Sequence, residues 1–194
     1  MMRKALFLLA LACVASCRTR GPVLIPPAGP SFRSLSIKFS FHDGEARQNG
    51  RVLWRFDGEL SKFIFFTPLN QAGLELDVAG EDAVLVNFAR KEYWRGDFRV
   101  LLERMWGVDM SLSTLKSLVL AGDVPQDEFA AKGIEAAVER GPAGGAPLAV
   151  RLRRGGADLS LRLTRDELRP GKIVLVGYEG RYRAAGLERV LEND

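Results

Sequence analysis

Val52-Leu53-Trp54-Arg55-Phe56-Asp57-Gly58-Glu59-Leu60-Ser61-Lys62-Phe63-Ile64-Phe65-Phe66 is the stretch on which the fold class turns. Val52, Trp54 and Phe56 fall on one side of an extended chain, the alternation expected of a strand with a single buried face. Asp57-Gly58 supplies the left-handed backbone that a tight hairpin needs. Leu60 to Phe66 is then the returning strand.

The same period runs outward in both directions. Upstream, Leu35, Ile37, Phe39 and Phe41 share a face, with Ser36, Lys38 and Ser40 opposite. Downstream, Leu74 to Val78, Ala83 to Phe88 and Arg90 to Trp94 extend an antiparallel meander. The period then changes to that of a helix. Asp97 is placed to cap a segment with Phe98, Leu101, Leu102 and Met105 at three- and four-residue spacing, ending near Gly107. Ser111 or Ser113 caps a second, with Leu112, Leu115, Leu118 and Val119 apolar and Gly122 closing it. Strands resume at Leu148–Arg153, Leu159–Leu163 and Ile173–Val176. Residues 127–139 read as neither, being Ala-rich but interrupted by Gly133, and 141–147 is a Gly/Pro loop. The expected fold class is mainly β (α+β): a curved antiparallel sheet whose apolar face is covered by two amphipathic helices.

The two ends of the chain differ. Arg3 and Lys4 precede an apolar run from Ala5 to Cys13 and the small residues Val14-Ala15-Ser16-Cys17, which describes an export signal. The run is short of the roughly 20 residues a spanning helix needs. Val-Ala-Ser-Cys resembles a bacterial lipobox, which implies cleavage after residue 16 and acylation of Cys17; ordinary cleavage after Ala15 is the alternative. Residues 17–31 hold four prolines and read as a tether, so the organisation expected is signal 1–16, lipidated tether 17–31 and one domain 32–194.

Composition narrows the function classes. The chain has 194 residues, 47% apolar, with 28 Lys+Arg against 24 Asp+Glu, two Cys and one His. That is too apolar for disorder and too poor in Cys and His for a disulfide scaffold or a multi-His metal centre. Loss of Arg3 and Lys4 with the signal lowers the side-chain charge from +4 to +2, which with export argues against nucleic acid. His42, beside Asp43 and Glu45, reads as a turn residue. No phosphate loop or nucleophile elbow is present, so no catalysis, cofactor or metal is expected beyond the lipid on Cys17. Arg151, Arg153 and Arg154 form a basic cluster, read as a solvated strand face or as a site attracted to anionic lipid or an acidic carrier.

Residues 52–122 resemble the LolB family, outer-membrane receptors that accept lipoproteins from the periplasmic carrier LolA. The resemblance is an ordered series: Trp54 with Phe56, Thr67-Pro68-Leu69-Asn70, Leu74-Glu75-Leu76-Asp77, Tyr93, Leu101-Leu102 to Gly107, and Leu112-Ser113-Thr114-Leu115-Lys116-Ser117-Leu118-Val119-Leu120 to Gly122. It implies an incomplete β-barrel with a helical lid around an apolar cavity that takes the acyl chains of client lipoproteins. It also implies that Leu69 protrudes into the receiving membrane; a leucine folded back as a strand end is the alternative. Arg18 in place of Asp implies the outer-membrane address, with the chain facing the periplasm as a monomer. Leu35, Ile37, Phe39, Trp54, Phe56, Leu101, Met105 and Leu118 are the candidate cavity lining, and a plain core would use the same residues. Trp94 and Trp106, at the helix ends, are open to either role. Asn70 stands where Gly is commoner, Asp109 where Pro is usual, and Leu118 where the family has Trp. Two other readings remain: a module of this fold carrying another lipid or glycolipid, and a structural envelope lipoprotein with a packed interior.

Overall fold

The computed structural model describes residues 30–192, apart from positions 46, 59 and 176. The export signal, Cys17 and the tether before residue 30 lie outside the described residues. Six strands come first: β1 (Ser31–His42), β2 (Arg47–Asp57), β3 (Leu60–Phe66), β4 (Ala72–Ala79), β5 (Asp82–Asn87) and β6 (Glu92–Asp97). Three helices follow, α1 (Phe98–Trp106), α2 (Leu112–Leu120) and α3 (Gln126–Ala131). The chain then returns to strand in β7 (Glu135–Arg140), β8 (Pro147–Arg154) and β9 (Ala157–Pro170). It ends with the two-residue β10 (Arg183–Ala184) and α4 (Leu187–Leu191).

All ten strands join one open sheet in the order β10-β6-β5-β4-β3-β2-β1-β9-β8-β7. Pairing is antiparallel except where β10 runs parallel to β6. The sheet does not close, so the expected incomplete barrel is what forms. Its order dictates the lid. Strands β6 and β7 are adjacent among the chain's strands but lie near opposite ends of the sheet, so the segment between them crosses the inner face. That segment is α1, α2 and α3.

Inward positions obey the period read from sequence. Leu35, Ile37, Val52, Trp54, Phe63, Leu76 and Leu85 are buried, as are Phe98, Leu101 and Leu102 of α1 and Leu112, Leu115, Leu118 and Val119 of α2. Each such side chain contributes roughly 1.5–3 kcal/mol by leaving water. Trp54 stacks on Phe63 with ring centres 5.0 Å apart, and its indole N–H donates to the Ser61 hydroxyl at 3.2 Å. The ring is thereby buried without an orphaned donor.

Three expectations need correction. The sixth strand is Glu92–Asp97, not 90–94, because Lys91 takes a left-handed turn at φ 55°. Residues 127–139 hold a short helix and then β7, divided at Gly133, whose φ of 65° ends the helix. The strand expected at 173–176 does not form over its described residues 173–175: both neighbours of each inner strand are already taken, so this segment lies across the outer face instead. There Ile173 and Tyr178 are buried. Beneath them, Lys62 on β3 is nearly buried and pairs with Glu75 at 2.5 Å and Asp77 at 2.9 Å on β4. The Tyr178 hydroxyl donates to Glu75. Burial, then that hydrogen bond, raises the phenol's pKa, so it remains a donor.

The C-terminal segment next wraps the β6 edge as β10 and turns inward as α4, burying Val190 in the core. The Asn87 side-chain amide donates to the Val190 carbonyl at 3.0 Å. Glu92 is 2% exposed and receives hydrogen bonds from Arg183 and from Arg189, the latter at 2.9 Å. Those bonds, Arg183's first, hold its carboxyl below the usual glutamate range. A depressed native pKa stabilises the fold above the ordinary value of about 4.3 and ceases to do so as pH falls through the native value. The stability advantage of the parent chain over Glu92→Gln should therefore be full at neutral pH and shrink progressively below about pH 4.3, as measured by denaturant unfolding across a pH series.

Candidate functional site

The turn between β3 and β4 is built to present one side chain. The Thr67 N–H donates to the Gln71 carbonyl and the Asn70 N–H to the Thr67 carbonyl, both at 2.8 Å. Asn70 occupies the left-handed region at φ 62°, a conformation that glycine takes freely and asparagine tolerates better than other residues. Arg51 on β2 donates to the Asn70 side-chain oxygen and so ties the turn to the sheet. Leu69 stands at the tip with 81% of its surface exposed. It does not fold back into a strand end.

Directly below the turn, the sheet and α1 leave a cleft of about 400 Å³, mainly apolar but rimmed on the β2 side by Arg47, Gln48 and Asn49. Thr67, Pro68 and Leu74 form one wall and Met105 and Trp106 the other. Its floor is an aromatic triad: Phe39, Phe65 and Trp106 lie with ring centres 6.1–6.3 Å apart, edge-on or tilted. Gly50 faces Phe39 across the β1–β2 pair, and a Cβ added there would sit 2.7 Å from the ring. The missing side chain lets Phe39 lie flat and keeps the cleft open.

The helices are fixed from their ends. Asp97 accepts from the N–H groups of Arg99 at 2.8 Å and Val100 at 3.2 Å, and Gly107 terminates α1 at φ 68°. The Ser111 hydroxyl, of the two serines considered, caps α2 by accepting from the Thr114 N–H at 3.0 Å. Between the helices, Asp109 bridges Arg99 at 2.8 Å and Lys132 at 3.3 Å. An ionic clamp thus ties the turn between the helices to α1 and to Lys132. The hydrogen bond from Arg99 is the main reason the Asp109 carboxyl titrates below the usual aspartate range.

The candidate lining divides along the strands. Phe39 and Met105 border the cleft, whereas Leu35, Ile37, Trp54, Leu101 and Leu118 are closed within the core. Phe56 is partly buried at the far end, with the Lys116 ammonium 5.5 Å from its ring centre. Sequence reasoning did not single out Gly50, Phe65 or Leu74 for the cleft, and left Trp106 open. The lone glycine opposite an inward aromatic was the available signal.

The other sequence candidates fall elsewhere. His42 lines an outer-face cleft with Arg47, Arg151 and Asp158. Among the described residues, no group of three His, Cys, Asp or Glu side chains is placed to hold a metal. The basic cluster is split. Arg151 and Arg153 share Asp158 on the outer face, while Arg154 donates to the Gly107 carbonyl at 3.1 Å, a cation at the C-terminus of α1.

The fold is thus an open, almost wholly antiparallel half-barrel with a helical crossover over its inner face and a cleft at one end. The family model described as "Outer membrane lipoprotein LolB" matches residues 33–141, more than half of the chain, and the chain belongs to that family. The outer-membrane lipoprotein LolB of Azoarcus sp. (strain BH72) is 29% identical over 132 residues, which cover 63% of this chain and 67% of that protein. A solved LolA superfamily protein from Nitrosomonas europaea superposes with a TM-score of 0.49 at 11% identity, covering 76% of this chain and 89% of that one.

Substituting Gly50→Ala should turn Phe39 into the cleft. The expected result is a modest loss of stability, about 1–3 kcal/mol, with a several-fold weaker uptake of an apolar fluorescent dye, read by titration and thermal unfolding.

Proposed function

We propose that this protein receives the acyl chains of lipoproteins in the cleft below the Leu69 turn and passes them to the outer membrane. The observation that carries the reading is an exposed leucine mounted directly over an apolar opening. A large apolar side chain held in water by a braced turn gains nothing from the fold itself, and contact with lipid gives it a reason to be there. The cleft's volume lies in the usual range of ligand sites, about 300–1,000 Å³. An acyl chain lying deeper would need α1 and α2 to lift from the sheet, because the residues beyond Phe39 are packed.

The rest of the reading follows from the family and the N-terminal sequence. Cys17 is the point of lipid attachment, and the domain faces the periplasm, where a LolA-like carrier delivers clients. Transfer requires neither catalysis nor a cofactor; it runs toward the site with the more favourable free energy. Membership of the LolB family favours client lipoproteins over another lipid as cargo.

The test uses acylated protein in vesicles, a carrier loaded with labelled lipoprotein, and the Leu69→Glu variant. Placing a carboxylate in the acyl layer costs about 3 kcal/mol, on the order of a hundredfold in occupancy. Acceptance from the carrier should be unchanged and deposition in the bilayer strongly reduced. Unchanged deposition would refute the role of Leu69, and failure of the parent protein to accept client would refute the receptor reading.

A further inference from the structure

Apart from the cleft and its turn, the most lopsided feature of the molecule is electrostatic. The outward positions of β8, β9, β1 and β2 carry nine lysine or arginine side chains, Lys38, Arg47, Arg51, Arg151, Arg162 and Arg165 among them. The carboxylates on the same positions are Asp57, Asp158 and Glu167. This one face therefore holds a larger positive excess than the entire chain, whose formal charge is +4. Ser36, Ser40 and Ser160 separate the cations, and such short neighbours leave the long side chains standing clear: Arg162 is 64% and Arg165 66% exposed. Asp158 is shared by Arg151 and Arg153 and Glu167 by Arg165 and Arg169, so each carboxylate answers two cations and leaves one in excess, while the Arg162–Glu139 pair with β7, at 3.7 Å, is exposed and strongly screened by water. The C-terminal segment crosses the outer face over β3 to β6 and meets β2 at its end, where the Ile173 N–H lies 3.5 Å from the Asp57 carboxylate.

We propose that the basic outer face of β8-β9-β1-β2 rests on a bilayer surface rich in anionic phospholipid headgroups, orienting the domain so that the Leu69 turn meets the same membrane. Two observations favour a lipid surface over a protein partner. The face lacks an exposed apolar centre of the kind that protein interfaces use. Its large apolar side chains, Phe32 and Leu53, are partly buried, and the Arg55 guanidinium lies 5.9 Å from the Phe32 ring centre. Arg51 likewise lies 4.5 Å above Phe66 and reaches Asn70. Cations for phosphates thus adjoin an apolar tip for the acyl layer, the pairing that holds amphipathic structures at interfaces. The proposal extends the membrane contact of Leu69 but rests on charge, not on that leucine or on acyl-chain transfer.

The experiment reconstitutes the acylated full chain carrying Ser160→Cys, labelled with an environment-sensitive dye. The vesicles are zwitterionic phospholipid, alone or with phosphatidylglycerol added. The parent chain treated identically is the blank, and Ser113→Cys on α2 is the control on the opposite side. A several-fold larger emission change on anionic vesicles is expected at position 160 and none at 113. It should vanish in 1 M salt, where the screening length falls from about 10 Å at 0.1 M to about 3 Å. Lys38→Glu/Arg162→Glu/Arg165→Glu should abolish it, and the milder Arg162→Gln/Arg165→Gln should reduce it, with circular dichroism establishing that each variant is folded. Leu69→Glu should retain it. An equal response on both vesicle types, or a response that needs an added acidic carrier protein, would overturn the proposal. Loss of client transfer with the lipid contrast intact would overturn only the acyl-chain reading.

Discussion

Everything in this molecule depends on the contact between the helical crossover and the inner face of the sheet. An open antiparallel sheet of this size has one apolar side that water must not reach. Because β6 and β7 lie near opposite ends of the sheet, the chain has to pass over that side, and Phe98, Leu101 and Leu102 of α1 with Leu115, Leu118 and Val119 of α2 seal it. Where the seal is complete, the interior is a core. Where α1 ends, at Met105 and Trp106, it is a cleft. The candidate site is therefore the unfinished end of the packing that makes the fold.

This explains why so much of the architecture is legible in the sequence and so little of the lining. Period-two alternation at Leu35–Phe41 and Val52–Phe56 reports which side chains face inward. Asp97, Gly107, Ser111 and Gly122 mark the helix ends by backbone chemistry that is local. Whether an inward side chain meets another side chain or empty space is not local. Trp54 and Phe39 follow the same pattern, yet Trp54 stacks on Phe63 and Phe39 overlooks a cleft, because Gly50 is its partner across the strands. The outward arginines were legible one strand at a time, as at Arg151 and Arg153, but their sum appears only when β8, β9, β1 and β2 are set side by side.

The C-terminal segment was the least legible. Ile173 to Leu175 has the composition of a strand, but a strand needs an unpaired neighbour, and that depends on the order of the ten strands that do form. Its anchorage is equally remote in sequence. Arg183 and Arg189 act on Glu92, some ninety residues earlier, and Tyr178 acts on Glu75. A glutamate among strand residues carries no local sign that it will be buried beneath two guanidiniums.

The direction of β1 has a mechanical consequence. Ser31 begins the strand at the pole of the sheet opposite the Leu69 turn. Lys38, which pairs with Arg51 and so stands level with Phe66, is seven residues further on, about 23 Å at 3.3 Å per residue. A membrane attachment ahead of residue 30 would therefore hold the domain by its far pole, while Leu69 lies at the near one. For both to meet a single bilayer, the domain must recline along it or the leash must run back past it. The number of residues between such an attachment and Ser31 would thus act as a length setting that governs which postures the domain can adopt.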